Sequence, residues 1–213
     1  MREDLEQQEQ FDAIKGFWAE NKRWIVPLIS LVLIAAAAFN GWNWWQNRQA
    51  NQATDALVAM ESALTEQNLD KARAAYKALS ADYGASTQAA LGGLQFAKAL
   101  ASAGELAEAR GVLAHVAKKA TDEFAWIAKI RLAGVLLDEN NAKAALEALS
   151  GKPPKEFSGL VNDRKGDAHA AIGSKEEARA AWKAASEELP AQSPSRELAL
   201  RKLQTIDSFG GTK

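Results

Sequence analysis

The side chains best suited to moving a proton or holding a metal are His115 and His169, the only two histidines, and the paired carboxylates Glu176 with Glu177 and Glu187 with Glu188. Neither histidine belongs to an HExxH motif or to the closely spaced carboxylates that would complete a zinc site. Neighbouring helical residues point in different directions, so each glutamate pair is expected to solvate a helix rather than share a catalytic proton. Ser80 and Ser102 stand outside any nucleophile elbow. Gly92 and Gly93 fall within a helical pattern, without the strand and lysine that a phosphate-cradling loop requires. The chain has no cysteine, which removes thiolate catalysis, disulfides and cysteine-held metal. No catalytic, cofactor-binding or metal-ligating residue is expected, and the protein is read as a non-enzyme.

Charge narrows the partners further. The formal net charge is -1, and after Ala50 there are 21 basic and 21 acidic residues. Lys118 with Lys119 and Arg164 with Lys165 are local clusters without a surrounding basic field, so nucleic acid is not expected as a partner.

With chemistry set aside, the elements themselves carry the information. From Trp24 to Phe39 only Pro27 and Ser30 interrupt an aliphatic and aromatic run, which continues to Trp45. As a helix these 22 residues measure about 33 Å, enough for a hydrocarbon core of roughly 30 Å. Trp24 stands at one edge and Trp42, Trp44 and Trp45 at the other, where indole rings favour the membrane interface; these four are the candidate interface residues. A cleaved export signal and a buried soluble helix are the competing accounts. The acidic leader, with Glu3, Asp4, Glu6, Glu9, Asp12 and Glu20, and the length of the apolar run favour a retained anchor. Pro27 fits the first turn of a helix beginning near Trp24 or Ile25. Lys15, Lys22 and Arg23 flank the first edge and only Arg48 the second. This imbalance predicts a single-pass type II protein with a cytoplasmic amino terminus. The expected domains are a cytoplasmic tail over 1–23, a transmembrane helix over 24–45 and a domain across the membrane over 46–213, periplasmic in a Gram-negative cell. The tail is expected to be partly helical, with apolar positions at Leu5, Phe11, Ile14, Phe17 and Trp18. Ala37 and Gly41 form one small-xxx-small pair that could carry a homodimer.

Beyond Arg48 the sequence becomes alanine-rich with helical periodicity. Four helix pairs are predicted, turning near Gln67, Gly104, Asn140 and Gly173, positions separated by 37, 36 and 33 residues. Five residues beyond each turn stand Ala72, Ala109, Ala145 and Ala178. Four further on are Tyr76, Leu113, Leu149 and Trp182. Alanine permits close helix approach and the larger residue buries area against a neighbour. Arg73, Arg110 and Arg179 follow three of those alanines, but Leu146 occupies the matching place in the third unit, so an obligatory arginine function is not expected. Pro153 and Pro154 oppose helix continuation before the fourth pair. A closing helix begins near Pro194 and is followed by a flexible GGTK tail. The expected fold is all-α, a transmembrane helix followed by a tetratricopeptide-like right-handed helical solenoid.

The pattern of Glu9, Gln10, Lys15, Phe17, Trp18 and Asn21 before the span, Trp42 and Trp45 at its far edge, and repeats such as LASAGELAEARGVL and AAIGSKEEARAAWKAA resembles the tetratricopeptide-like ancillary subunit family of the bacterial SecYEG translocon. The resemblance covers essentially the whole chain. It implies a noncatalytic scaffold anchored in the bacterial inner membrane, in contact with the SecYEG translocon and periplasmic chaperones during envelope-protein biogenesis, and a share in quality control or stress regulation. The alternative is a structural, homo-oligomerising membrane protein.

Overall fold

The computed structural model describes residues 2–210, with side chains from Lys15 onward except those of Asp122, Phe209 and Gly210. The described residues are helical throughout apart from short turns, and they divide into two compact units, 1–49 and 50–213.

The first helix, α1 (Arg2–Thr65), is far longer than the span predicted from Trp24. Pro27 therefore lies inside it rather than in its first turn, correcting that expectation. Its ring removes one donor, to the carbonyl of Arg23. Spanning helices tolerate this where nearby polar groups satisfy the freed carbonyl. Nor does NRQANQA, which follows the apolar run, hold a glycine or proline to stop the helix. Among the described residues α1 alone is long and apolar enough to cross a membrane. The apolar contacts expected at Leu5, Phe11 and Ile14 lie outside the described side chains; Phe17 and Trp18 are exposed.

In the second unit the end of α1 pairs with α2 (Leu69–Tyr83). Two further pairs are α3 (Thr87–Ser102) with α4 (Leu106–Lys119), and α5 (Asp122–Asp138) with the seven-residue α6 (Ala142–Ala148). After Pro154 come α7 (Lys155–Ala171), α8 (Lys175–Glu188) and the closing α9 (Pro194–Gly210). The rest of the expected tail, Gly211 to Lys213, lies outside the described residues.

All four predicted turn residues have left-handed backbone: Gln67 at φ 55°, Gly104 at 82°, Asn140 at 59° and Gly173 at 81°. Each closes the helix before it in one way. The next amide reaches back five residues, Asn68 to Ala63, Glu105 to Leu100, Asn141 to Leu136 and Ser174 to His169, over 2.7 to 2.9 Å. Carbonyls that would otherwise be orphaned at the helix end are thereby satisfied. Glycine adopts this backbone without cost, asparagine tolerates it, and glutamine at 67 is the least natural of the four. Asn68 and Asn141 then cap the following helices through their side chains, accepting from the amides of Lys71 and Ala144.

The register beyond the turns sets the core. Ala72, Ala109, Ala145 and Ala178 are completely buried, and Tyr76, Leu113, Leu149 and Trp182 are buried one turn later. The ring of Tyr76 packs 5.3 Å from that of Phe96, while its hydroxyl is buried without a hydrogen-bond partner. Close approach extends to α3, where a Cβ on Gly92 would lie 2.8 Å from Leu79 and one on Gly93 would collide with Val116. The adjacent glycines are thus packing residues, a role the sequence reading did not assign them.

The arginines after three of the alanines make similar ties, though the third unit does without one. Arg73 donates to Glu108 at 2.8 Å and to Glu105 at 2.7 Å, both in the next unit. Arg110 pairs with Glu139 at 3.1 Å in the turn after that, and Arg179 donates to Asp207 on α9 at 2.6 Å. Each arginine ties the second helix of its own pair to the unit that follows. Leu146 sits at the matching place in the third unit and packs against the apolar core instead.

Candidate protein-binding surface

The first helices of the pairs present a second register, read backwards from the turns. Nine residues before each left-handed turn stand Val58, Gln95, Arg131 and Arg164; six before stand Glu61, Lys98, Gly134 and Asp167. These columns lie on one helical face because three residues separate them. The structure joins them laterally: Gln95 donates to Glu61 at 2.9 Å, and Arg131 donates to the carbonyl of Leu94 at 3.1 Å. Arg164 donates to Asp167 at 3.1 Å.

A groove of about 580 Å³ runs over this face where α3, α5 and α7 approach. Its polar lining includes Lys98, Ser102, Arg131, Asp138 and Arg164, and its apolar lining includes Leu113, Ile130 and Val135. With Arg164 paired to Asp167, Lys98 and Arg131 against Asp138 leave the lining a small excess of positive charge, although the unit as a whole is neutral. Gly134 contributes no side chain to the lining. The reading forward from the turns captured the packing face and missed this one; the signal was present in Gln95, Arg131 and Arg164, each nine residues before its turn.

A second hollow, about 690 Å³, lies among α7, α8 and α9. Beside it is a partly buried polar cluster. Lys202 donates to Asp163 at 2.7 Å and forms an ion pair with Asp167 at 2.6 Å. The indole nitrogen of Trp182 also donates to Asp167, at 3.1 Å. Burial pushes the Asp163 carboxyl above the usual range, against the hydrogen bond from Lys202, which favours the ionised form. Gly166 makes the cluster possible, because a Cβ there would collide with the Trp182 ring.

The side chains first considered for chemistry do not converge. His115 is exposed on α4 and His169 half-buried on α7, with its Nδ1 unpartnered. Glu176 pairs with Arg179, and Glu188 accepts from Asn162. Ser80 donates to the carbonyl of Lys77. No group of three or more potential ligands able to hold a metal occurs among the described residues. Trp24, Trp42, Trp44 and Trp45 are all exposed on α1. The rings of Trp42 and Trp45 lie 5.4 Å apart, and the Arg48 guanidinium lies 5.4 Å from the Trp44 ring.

Stacked helix pairs with a repeated turn, preceded by one apolar helix, define a tetratricopeptide repeat-like protein, and the family model described as a tetratricopeptide repeat-like domain matches residues 15–208. The "Ancillary SecYEG translocon subunit" of Neisseria gonorrhoeae is 31% identical over 211 residues, covering 97% of this chain and 100% of that protein. The protein of the same description from Escherichia coli K12 is 30% identical over 92% of this chain and 95% of its own length. The chain belongs to the ancillary SecYEG translocon subunit family. It is accordingly a noncatalytic protein, and its apolar helix together with its family supports a membrane-anchored chain. A solved structure, "MamA 41-end from Desulfovibrio magneticus RS-1", aligns with a TM-score of 0.50 at 17% identity, over 74% of this chain and 94% of that one. That likeness is one of fold.

Proposed function

We propose that the protein is a membrane-anchored, protein-binding scaffold that works beside the SecYEG translocon and brings periplasmic chaperones to polypeptides entering the envelope. The observation that carries this reading is the groove across α3, α5 and α7, where Lys98, Arg131 and Arg164 present donors beside apolar side chains. Such a surface suits polypeptide carbonyls and carboxylates, and tethering raises the encounter frequency without chemical turnover. The helix pairs wind as a right-handed solenoid. Residues 1–23 form the cytoplasmic tail, 24–45 the transmembrane helix and 46–213 the periplasmic domain in the inner membrane. Trp24 lies at the cytoplasmic interface and Trp42, Trp44 and Trp45 at the periplasmic one, as the excess of Lys15, Lys22 and Arg23 over Arg48 favours.

The test is photocrosslinking in native membranes from probes at Gln95, Lys98 and Arg131, with identification of the attached proteins. Adducts to translocon components or chaperones are expected. Self-adducts alone would replace this reading with the structural homo-oligomer, whose dimer contact would use exposed Ala37 and Gly41.

A further inference from the structure

The hollow among α7, α8 and α9 lies outside the repeated groove and differs from it in chemistry. Its apolar lining includes Trp182 from α8 and Leu198 and Ile206 from α9, with Ala170 from α7. Leu198 is half exposed, whereas the neighbouring Ala199 is completely buried in the contact with Ala185 and Leu189. Leu198, Arg201, Lys202 and Thr205 follow at intervals that place them along one stripe of α9, so this helix packs with one face and offers another.

Charge selects the occupant. The lining contains Lys175, Arg201 and Lys202 and no carboxylate. Lys202 is already committed to Asp163 and Asp167. Arg201 approaches Glu197 only at 3.8 Å, with both side chains more than two-thirds exposed, a pair of little strength in water. Lys175 is exposed and forms no ion pair among the described residues. Lys175, without an ion pair among the described residues, and Arg201, only loosely held by Glu197, thus flank an apolar hollow whose volume accommodates a few large side chains. A concave pocket with Trp182 in its lining suits an inserted side chain better than a flat lipid surface does.

We propose that this cleft docks a short acidic amphipathic polypeptide segment, with an apolar side chain against Trp182, Leu198 and Ile206 and carboxylates at Lys175 and Arg201. The assignment deepens the reading of the array as a protein-binding scaffold, and rests on it, by giving one partner surface its chemistry.

The test uses the full chain in phosphatidylcholine nanodiscs and a fluorescein-labelled amphipathic peptide carrying leucines on one face and glutamates on its flanks. Anisotropy should show saturable binding that weakens as salt is raised. Replacing the glutamates by glutamine should weaken it about tenfold or more, as should Lys175→Glu with Arg201→Glu, or Leu198→Asp alone. These residues are exposed, and unchanged far-ultraviolet dichroism will establish that the variants fold. Equal affinity for the glutamine peptide, or indifference to the charge reversals, overturns the proposal. So does complete displacement by vesicles of about one part phosphatidylglycerol to three parts phosphatidylcholine, which would assign the cations to lipid. Crosslinks from Gln95 and Lys98 that persist while the peptide fails would sink this cleft assignment and leave the scaffold reading standing.

Discussion

Lys202 on α9 donates to the buried carboxylate of Asp163 on α7 over 2.7 Å, so the closing helix is tied to the fourth pair by a charge contact withdrawn from water. Asp163 is 6% exposed, and the same ammonium also serves Asp167. Lys202→Met leaves two carboxylates facing each other without their cation. Breaking such a pair costs on the order of 3 kcal/mol, and chemical denaturation should show a correspondingly lower midpoint.

The same aspartate makes stability depend on pH in an unusual direction. Its folded pKa is raised by burial, so its favourable contribution is present below the ordinary aspartate range and lost as pH rises through the raised value. The stability difference between the native chain and Asp163→Asn, measured by denaturation from about pH 3 to pH 7, should therefore shift in the variant's favour as pH rises. A difference that moves the opposite way would mean the attraction of Lys202 outweighs burial.

Arg73 and Glu108 give the more usual sign. The arginine's hydrogen bond holds Glu108 below the usual carboxylate range, so that contribution is present above the ordinary glutamate value and lost as pH falls through the lowered one. Arg73→Gln should reduce stability at neutral pH and converge with the native chain in acid, as read by thermal unfolding. Raised salt should narrow the gap, since the cluster is partly open to water.

Gly93→Ala and Gly166→Ala should each destabilise by about 1–3 kcal/mol, because the new methyl groups meet Val116 and the Trp182 ring in packed surroundings. Gly111→Ala, also mid-helix but with nothing within 4 Å of its Cβ position, should instead stabilise by up to about 1 kcal/mol. Melting temperatures of the three variants separate packing from helix propensity.

Protease added to intact spheroplasts should cut within 46–213 and spare the segment before Lys22. Epitope tags at either end read the result. Protection of the later segment with loss of the early one would reverse the orientation.

The four turns were legible because a left-handed residue leaves a local trace: glycine or asparagine every 33 to 37 residues, then alanine and a large side chain at fixed distances. Gln67 was found only through that spacing, since its own type argues against the backbone it adopts. The length of α1 was not legible. Pro27 and the change in composition after Trp45 both suggest ends, yet neither halts a helix whose flanking residues all tolerate one. The arginine ties were concealed for a different reason. Their partners, Glu105 and Glu108, Glu139, and Asp207, occur at unequal separations, so recognising them required knowing which helices become neighbours. Leu146 further disguised the series. The cleft beside α9 depends wholly on how that helix packs, and periodicity within α9 alone does not say which side it leaves open.

Tyr76 offers an optical record of this interior. Burial raises its phenol to about 12, and no neighbour stands ready to accept its proton. In a Tyr83→Phe background it is the only phenol in the chain, and the ultraviolet band of its phenolate would then appear when alkali opens the array rather than at the pH where a free tyrosine ionises. A single chromophore would thus time the loosening of the first two helix pairs.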